Sequence, residues 1–316
     1  MSEPLIIAIP SKGRLKEQVE AWLADCGLHL AVSGGARGYL AEIKGLAGAQ
    51  VRLLSAGDIA EALGAGEAHL GVTGEDLLRE RSDHLSRVLL LRPLGFGRAD
   101  LVAAVPKSWL DVETMADLEE VAHDYLARTG RRMRVATKYL VQTRAFFARN
   151  GVVDYRITES GGATEGAPAS GAAELIVDIT TTGATLAANG LKILSDGVIL
   201  TSQAQLTASL KAYWNAEQLA VAERLLRVIE ARAAALTQAT LIWPATGRSE
   251  ERLVVDELIA GGALPRPHGL MIDANRASEA AASLAAAGLG PVTVSKPDFV
   301  FELDCRAIAA LKLHVI

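Results

Sequence analysis

Short apolar runs that end in Gly- or Thr-containing turns and lead into helical patterns recur along this sequence. The runs Leu5–Ile9, Val51–Leu54 and Leu70–Gly74 each predict a buried strand, and a helical pattern follows each of them. Strands that alternate with helices form βαβ units, so the pattern predicts a mostly parallel sheet. Only 4% of the residues are aromatic, and a core of Ala, Leu, Val and Ile suits α/β layers better than an aromatic-rich β-sandwich.

A second set of strand and helix patterns begins near residue 88, and Leu175–Ile179 is the clearest buried strand in it. The pattern changes after Tyr213 and Trp214, where an Ala-, Leu- and Arg-rich helix is predicted over Glu217–Leu236. Further strands and helices follow and end in the predicted strand Phe299–Leu303. This last region has about 100 residues, a size compatible with a regulatory domain.

Charge and cysteine content exclude several classes of protein. The net charge of -5 gives no general basic field for nucleic acid. Cys26 and Cys305 have no Cys or His partner at metal-ligand spacing, so they are predicted to be isolated buried thiols. The sequence contains no apolar stretch long enough to span a bilayer and no signal-peptide pattern, so we expect a cytoplasmic protein without a membrane partner.

The segment ELIVDITTTGATL, from Glu174 to Leu186, carries the strongest chemical signal. Its apolar strand places Asp178 at the carboxyl end, where open α/β sheets bind ligands. The residues that follow combine hydroxyl groups, a glycine and the start of a helix: Thr180, Thr181, Thr182, Gly183, Ala184 and Thr185. Such a turn binds anions through N–H and hydroxyl groups, and a nearby carboxylate can hold sugar hydroxyls or a magnesium ion. The segment therefore predicts a site for a ribose 5-phosphate.

A simpler interpretation of the same loop is a polar turn that caps a helix, which is the usual role of Ser/Thr clusters. The carboxylate of Asp178 favours the phosphate site, because a carboxylate is not placed at the end of an apolar strand to fill a core. The sequence has no GxxxxGK[ST] motif, so P-loop nucleotide chemistry is disfavoured.

Charged residues also follow other predicted strands. Lys12 and Arg14, in the turn PSKGRL, are placed to reach a polyphosphate or to face water as ordinary surface cations. Comparable positions, each open to a ligand role or a purely structural one, are Asp76, Lys138, Tyr139, Glu159 and Glu165. Each signal is weak alone, but their common position at strand ends favours one ligand-binding cleft.

The motifs PSKGRL, GVTGEDLL, LGFGRADLV, ATKY, ATEGAP and ELIVDITTTGATLAANGLKIL occur here in the order found in ATP phosphoribosyltransferases. The chain resembles this family over roughly residues 5–210. The resemblance implies an α/β fold with a bilobal catalytic unit like a periplasmic binding protein, and an active site in the cleft. It implies a first lobe of residues 1–95 and 190–212, a second lobe of residues 96–189, and a C-terminal α+β domain, in one interpretation ACT-like, of residues 213–316.

The activity implied by the resemblance is the Mg²⁺-dependent condensation of ATP with phosphoribosyl pyrophosphate, the first step of histidine biosynthesis. Asp178 would then bind the ribose hydroxyls, and Glu165 would be a second ribose or metal carboxylate, with Mg²⁺ held through the substrate. The 5-phosphate would be held by Thr181, Thr182, Gly183, Ala184 and Thr185. Lys12 and Arg14 match cations near the nucleotide and pyrophosphate, while Asp76, Lys138 and Tyr139 lie in motifs that face the cleft. No general base is implied.

The family has a long form with a histidine-sensing domain and a short form that works with a separate regulatory subunit. The length of this chain favours the long form, whereas ATEGAP and LKILSDGVIL look closer to short-form sequences. Histidine as an inhibitor and a regulatory subunit as a partner both stay open, and a homo-oligomer is expected by resemblance. The alternative functions are a phosphoribosyltransferase for another base and a two-lobed protein that binds or senses an anionic metabolite.

Overall fold

The computed structural model describes residues 3–33, 39–81 and 84–315. The first elements are β1 (Leu5–Pro10), α1 (Gly13–Asp25), β2 (Leu30–Ser33), β3 (Leu40–Ile43), β4 (Ala49–Leu54), α2 (Ala56–Ala65), β5 (Leu70–Gly74), α3 (Glu75–Glu80) and β6 (Val88–Pro93). They are followed by β7 (Ala99–Pro106), α4 (Met115–Thr129), β8 (Met133–Thr137), α5 (Leu140–Arg149), β9 (Tyr155–Glu159), β10 (Leu175–Thr180), α6 (Ala184–Ala188) and β11 (Leu191–Ser202). The last are β12 (Ala204–Ser209), α7 (Ala216–Thr237), β13 (Gln238–Ile242), α8 (Ser249–Ala260), β14 (Leu264–Arg266), β15 (Gly269–Asp273), α9 (Ala277–Ala286), β16 (Thr293–Ser295) and α10 (Arg306–Val315).

The first lobe is built on a seven-stranded sheet with the order β2-β3-β4-β1-β5-β12-β6. β1 pairs in parallel with β4 and β5, whereas β12 runs antiparallel to β5 and β6. Helices cover both faces of β1, which explains why the whole strand is apolar rather than alternating. Leu5, Ile7 and Ile9 pack in one core cluster, which includes buried residues of α1 and α7, and Ile6 and Ala8 pack in another with residues of α2.

The second lobe is built on a five-stranded sheet with the order β11-β7-β10-β8-β9. β8 pairs in parallel with β9 and β10, while β7 runs antiparallel to β10 and β11. Buried residues of α4 and α5, among them Met115, Leu118 and Phe147, pack on one face of this sheet. The carboxyl ends of β8, β9 and β10 therefore lie at one edge, and the segments that leave them are neighbours.

The chain passes between these two lobes twice, through residues 94–98 and again at Gln203. Two α/β lobes joined in this way form the expected bilobal, periplasmic-binding-protein-like unit. The return to the first lobe was predicted near residue 190, but β11 pairs with β7 from Leu191 to Ser202 and so belongs to the second sheet. The apolar pattern of a strand shows its burial but not the sheet that it joins, which explains the difference.

A third sheet lies in the C-terminal region, with the antiparallel order β14-β15-β13-β16. The element order β13-α8-β14-β15-α9-β16 with this strand order is the ferredoxin-like arrangement. Ala239, Leu241, Leu270 and Ile272 pack with Leu284 of α9 to form its core. The expected C-terminal α+β domain is therefore present.

Helices α7 and α10 flank this domain in sequence but pack against the first lobe. Leu225 and Leu226 of α7 and Ile308 and Leu311 of α10 belong to the same core cluster as β1. The Glu230 carboxylate of α7 accepts hydrogen bonds from the N–H groups of Arg306 (2.9 Å) and Ala307 (2.8 Å) at the start of α10. The predicted strand Phe299–Leu303 is irregular, and the sequence analysis missed α10. The C-terminal region is thus anchored at both ends to the catalytic unit.

Both cysteines are free and buried, as predicted. Cys26 and Cys305 lie in the first-lobe core, and burial raises the pKa of each thiol to about 11. They are therefore protonated and unreactive at neutral pH. Within the described ranges, no helix combines the length and the apolar character needed to cross a membrane.

His69 is a buried polar residue that joins three parts of the first lobe. Its Nδ1 accepts a hydrogen bond from the Ile6 N–H (3.1 Å), so Nε2 carries the proton and donates to the Tyr213 carbonyl oxygen at 3.0 Å. The ring also lies edge-on to Trp214, with the centroids 5.0 Å apart. Burial lowers the pKa of His69, although the Tyr213 carbonyl raises it in part. The folded protein therefore holds a neutral imidazole.

We expect the protein to lose stability as the pH falls from 8 to 5, because the unfolded chain protonates this histidine near pH 6.5 while the folded chain resists protonation. His69→Asn retains a side-chain acceptor near the Ile6 N–H but does not titrate. The substitution is expected to lower the free energy of unfolding at pH 8 and to flatten its dependence on pH. Urea unfolding at pH 8, 6 and 5 measures both effects, with the exposed His268→Asn as the control. Equal pH slopes in the wild type and His69→Asn would contradict the prediction.

Candidate active site

A pocket of about 320 Å³ lies at the edge of the second sheet where its parallel strands end. It is lined by Ala99, Glu165, Asp178, Ile179, Thr180, Thr181, Thr182, Thr185 and Leu186. Most of the residues predicted for the phosphate loop and both predicted carboxylates therefore meet in one place. The position matches the general location of ligand sites in open α/β sheets.

The threonine loop is held partly by its own side chains. Thr180 Oγ1 accepts a hydrogen bond from the Gly183 N–H (2.8 Å), and Thr182 Oγ1 accepts a longer one from the Ala184 N–H (3.4 Å). Gly183 has a φ of +73°, a left-handed conformation that favours glycine. Thr181 and Thr185 are exposed and line the pocket. The hydroxyls of Thr180 and Thr182 thus shape the turn, and all four threonines line the pocket. The phosphate-site interpretation stays a prediction.

Asp178 and Glu165 contribute two carboxylates to the lining of the pocket. The Asp178 carboxylate is partly buried, and its Oδ1 accepts a hydrogen bond from the Ile179 N–H at 2.8 Å. Burial raises the pKa of Asp178, and the negative charge of Glu165 raises it further, whereas the Ile179 N–H and the Lys138 charge lower it. The site therefore holds an incompletely compensated carboxylate that a cation or hydroxyl donor would stabilise.

The ATEGAP loop that carries Glu165 is a strained segment. Ala163 has a φ of +49°, in the left-handed region, which costs about 1–2 kcal/mol for a residue with a Cβ. Thr164 is buried, its hydroxyl lies 3.0 Å from Ser160 Oγ, and a hydrogen bond from Thr164 lowers the pKa of Asp178. Thr164 thus links the two carboxylate-bearing segments. Sequence analysis did not select it, although it lies inside the ATEGAP motif.

The predicted cations occupy two regions. Lys138 follows β8, is exposed, and acts electrostatically on Asp178, while its Nζ lies 5.1 Å from the centre of the Tyr139 ring. Lys12 and Arg14 follow β1 in the first lobe, where Lys12 is the N-cap residue of α1, and both side chains are exposed. Lys138 is thus close to the pocket, whereas the pocket lining contains neither Lys12 nor Arg14 among the described residues.

Asp76 and Tyr139 were predicted to face the cleft, but the structure pairs them with each other. Tyr139 Oη donates a hydrogen bond to Asp76 Oδ2, and Ser202 Oγ donates one to Asp76 Oδ1, both at 2.8 Å. Tyr139 is only 1% exposed and Asp76 only 6%. Burial and then the Asp76 charge raise the pKa of Tyr139, so the phenol remains a neutral donor. These motif residues join the lobes, a relation that spacing in the sequence could not show.

Two side chains of the pocket are candidate metal ligands. In the described part of the chain, no cluster of three or more His, Cys, Asp or Glu side chains is placed to hold a metal. Asp178 and Glu165 supply two carboxylates, and Mg²⁺ commonly combines one or two carboxylates with substrate phosphates and water. Asp178 and Glu165 are therefore the residues of the pocket that could hold a metal ion.

A larger cavity, of about 640 Å³, lies between α7 and the segment Val300–Arg306. Its lining mixes both charges, and Arg227 and Glu230 already form hydrogen bonds within the protein there. None of its lining residues comes from β8, β9 or β10 in the described ranges. The smaller pocket at the strand ends is therefore the candidate active site.

Comparison with known proteins places the chain close to one enzyme family. The family model described as HisG: ATP phosphoribosyltransferase matches residues 55–231. The chain is 68% identical over 303 residues to the ATP phosphoribosyltransferase of Caulobacter vibrioides (strain NA1000 / CB15N), covering 96% of this chain and 95% of the relative. It is 59% identical over 236 residues to that of Rhodopseudomonas palustris (strain BisA53), covering 74% of this chain and 73% of the relative.

A solved structure agrees with these relatives. The chain is similar to a chain in the ATP phosphoribosyl transferase (HisG:HisZ) complex from Thermotoga maritima, with a TM-score of 0.54 and 27% identity. The match covers 72% of this chain and 98% of that chain.

The electrostatics of the pocket predict that Asp178→Asn stabilises the ligand-free protein. A carboxylate whose pKa is raised on folding destabilises the folded state above that pKa, and Asn removes the charge but keeps an oxygen acceptor for the Ile179 N–H. Thermal unfolding at pH 7.5 in the presence of EDTA is expected to show a higher Tm than for the wild type. The exposed Asp124→Asn, on α4, serves as the control. A Tm below that of the control would mean that the carboxylate contributes to stability.

Proposed function

The chain belongs to the ATP phosphoribosyltransferase family, and we propose that the pocket around Asp178 and Glu165 binds its phosphoribosyl pyrophosphate. The enzyme condenses ATP with phosphoribosyl pyrophosphate to give N1-(5-phosphoribosyl)-ATP and pyrophosphate, the first step of histidine biosynthesis. The observation that carries the proposal is the meeting of two carboxylates and a threonine loop in one pocket. The alternatives of another base or a metabolite sensor gain no support from these relatives.

The threonine loop would bind the 5-phosphate. The residues proposed to hold it are Thr181, Thr182, Gly183, Ala184 and Thr185, through the threonine hydroxyls and through N–H groups other than those of Gly183 and Ala184, which donate to Thr180 and Thr182. Exposed hydroxyls at Thr181 and Thr185 support this role, and the turn at Gly183 lets the backbone approach the anion closely. Thr180 contributes by holding the turn through the Gly183 N–H. A neutral donor set of this kind can bind phosphate without a lysine in the loop.

Asp178 and Glu165 would accept hydrogen bonds from the ribose hydroxyls. Charged acceptors form stronger hydrogen bonds than neutral ones, and donors from the sugar would compensate the raised pKa of Asp178. The same two carboxylates would help to hold Mg²⁺, mainly bound through pyrophosphate oxygens. The bound metal would neutralise negative charge on the departing pyrophosphate.

The chemical step is a displacement at C1 of the ribose. N1 of adenine forms the new bond, the C1–O bond breaks, and its electron pair leaves with pyrophosphate. Because the adenine nitrogen has a lone pair, the chain needs no strong base for this attack. Asp178 and Glu165 would stabilise positive charge that develops on the ribose, while Lys12, Arg14 and Lys138 would stabilise phosphate groups. The remaining contribution is alignment of two anionic substrates between the lobes.

Asp178→Asn tests the ribose role. We expect kcat with ATP, Mg²⁺ and phosphoribosyl pyrophosphate to fall about 10²–10³-fold, the usual effect of removing one transition-state contact. Product absorbance measures the rate, and Asp124→Asn is expected to retain wild-type activity. Full activity of Asp178→Asn would exclude the assigned role. Loss of activity together with a retained or higher Tm would separate a functional defect from misfolding.

Thr181→Val tests the phosphate role. Valine keeps the shape of threonine but removes the hydroxyl, so one hydrogen bond to a charged ligand is lost, worth about 1.5–3 kcal/mol. We expect the KM for phosphoribosyl pyrophosphate to rise about tenfold or more, with little change in the KM for ATP. Steady-state kinetics with each substrate varied in turn provides the measurement. Thr293→Val, on the exposed strand β16, is the matched control. An equal rise in both KM values would contradict a specific phosphate contact.

Regulation would act through the C-terminal domain or through a partner chain. The ferredoxin-like domain that lies between α7 and α10 supports a built-in sensor, for which histidine is the proposed inhibitor. The Thermotoga maritima protein occurs in a HisG:HisZ complex, which supports a regulatory subunit as the alternative. A homo-oligomer is also proposed. Assays with and without histidine distinguish the two mechanisms, because inhibition of the purified chain requires a sensor within it.

A further inference from the structure

The short helix α3 of the first lobe contacts the start of α5 in the second lobe through polar groups. The Glu80 carboxylate accepts hydrogen bonds from the N–H groups of Val141 (2.8 Å, to Oε1) and Gln142 (3.3 Å, to Oε2). Gln142 Nε2 in turn donates to the Asp76 carbonyl oxygen at 2.9 Å. A carboxylate at the N-terminus of a helix satisfies free N–H groups and interacts favourably with the helix dipole. Glu80 thus caps α5 from the opposite lobe.

The residue at the N-cap position of α5 is Tyr139, whose hydroxyl is directed to Asp76 of the first lobe. The Tyr139 N–H donates to Thr137 Oγ1 at 2.9 Å, which fixes the turn between β8 and α5. This turn is therefore attached to the first lobe at two points, through Asp76 and Glu80. Lys138 lies between Thr137 and Tyr139 in the same turn.

Lys138 directly follows β8, the parallel neighbour of β10, and the register that sets Ile176 opposite Ala136 brings Lys138 beside Asp178. Its position depends on the turn, because its backbone is held by the neighbours that α3 binds. A shift of the α3–α5 junction would move the ammonium group relative to Asp178 and the threonine loop. Misplacement of a reacting or binding group by about 1 Å can reduce activity about 10²-fold.

We infer that Glu80 is a positioning residue: by capping α5 across the lobe boundary, it holds Lys138 at the pocket for binding of the substrate phosphates. The inference rests on the proposed phosphoribosyl pyrophosphate site. In this role, Glu80 and Asp76 of α3 act through the turn that carries Lys138 and do not contact the substrate. The hydrogen bonds between Asp76, Tyr139 and Ser202 maintain the same junction.

A double-mutant cycle between Glu80 and Lys138 tests the inference. We expect Glu80→Ala to raise the KM for phosphoribosyl pyrophosphate about tenfold, with a smaller change in the KM for ATP. Lys138→Met removes the cation that Glu80 positions, so in that background Glu80→Ala is expected to change the KM by less than about twofold. Glu120→Ala, on the exposed surface of α4, is expected to behave as the wild type.

The outcomes separate the possible roles of Glu80. Equal KM increases in the two backgrounds would show that Glu80 acts independently of Lys138 and would overturn the inference, as would an unchanged KM in Glu80→Ala. If Glu80→Ala does not fold, Glu80→Gln, which keeps one acceptor oxygen, takes its place in the cycle. A wild-type kcat in Asp178→Asn together with a wild-type KM for phosphoribosyl pyrophosphate in Thr181→Val would instead contradict the proposed substrate site. That result would not depend on the behaviour of the Glu80 variants.

Discussion

The parallel pairing of β8, β9 and β10 is the constraint on which the candidate active site depends. Parallel neighbours end at the same edge of a sheet, so the turns after them meet although they are far apart in sequence. Lys138 follows β8, the loop with Glu165 follows β9, and Asp178 lies near the end of β10. β8 and β10 are apolar strands whose side chains are buried on both faces of the sheet, and β9 pairs with β8 at the edge. The surrounding helices supply that burial.

Two features of the candidate site are unfavourable in the ligand-free protein. Asp178 carries a raised pKa in a partly buried position near Glu165, and Ala163 adopts a left-handed conformation. Both features disfavour the ligand-free site and suit a ligand that brings hydroxyl donors and a cation. The cores of the two lobes offset these local costs through extensive apolar burial. A ligand that compensates these groups would therefore bind more tightly.

The lobes are joined by polar contacts as well as by the chain. Asp76, Tyr139 and Ser202 form a buried hydrogen-bonded cluster, and Glu80 caps a helix of the other lobe. These directional contacts define how the first lobe meets the turn that carries Lys138. At the other end of the molecule, α7 and α10 place the C-terminal domain beside the first lobe.

The sequence by itself determined the α/β class, the threonine loop at a strand end and the isolated thiols, because local periodicity and residue type encode them. Family resemblance added the two lobes and the pairing of Asp178 with Glu165. Only the tertiary structure decided that Asp76 and Tyr139 bind each other, that β11 belongs to the second sheet, and that α7 and α10 pack on the first. Local patterns specify which side of an element is buried, but the partner of a polar atom is chosen by segments brought together from distant parts of the chain. Glu80 illustrates this, since its carboxylate reaches a helix about sixty residues away that its own sequence neighbourhood does not reveal.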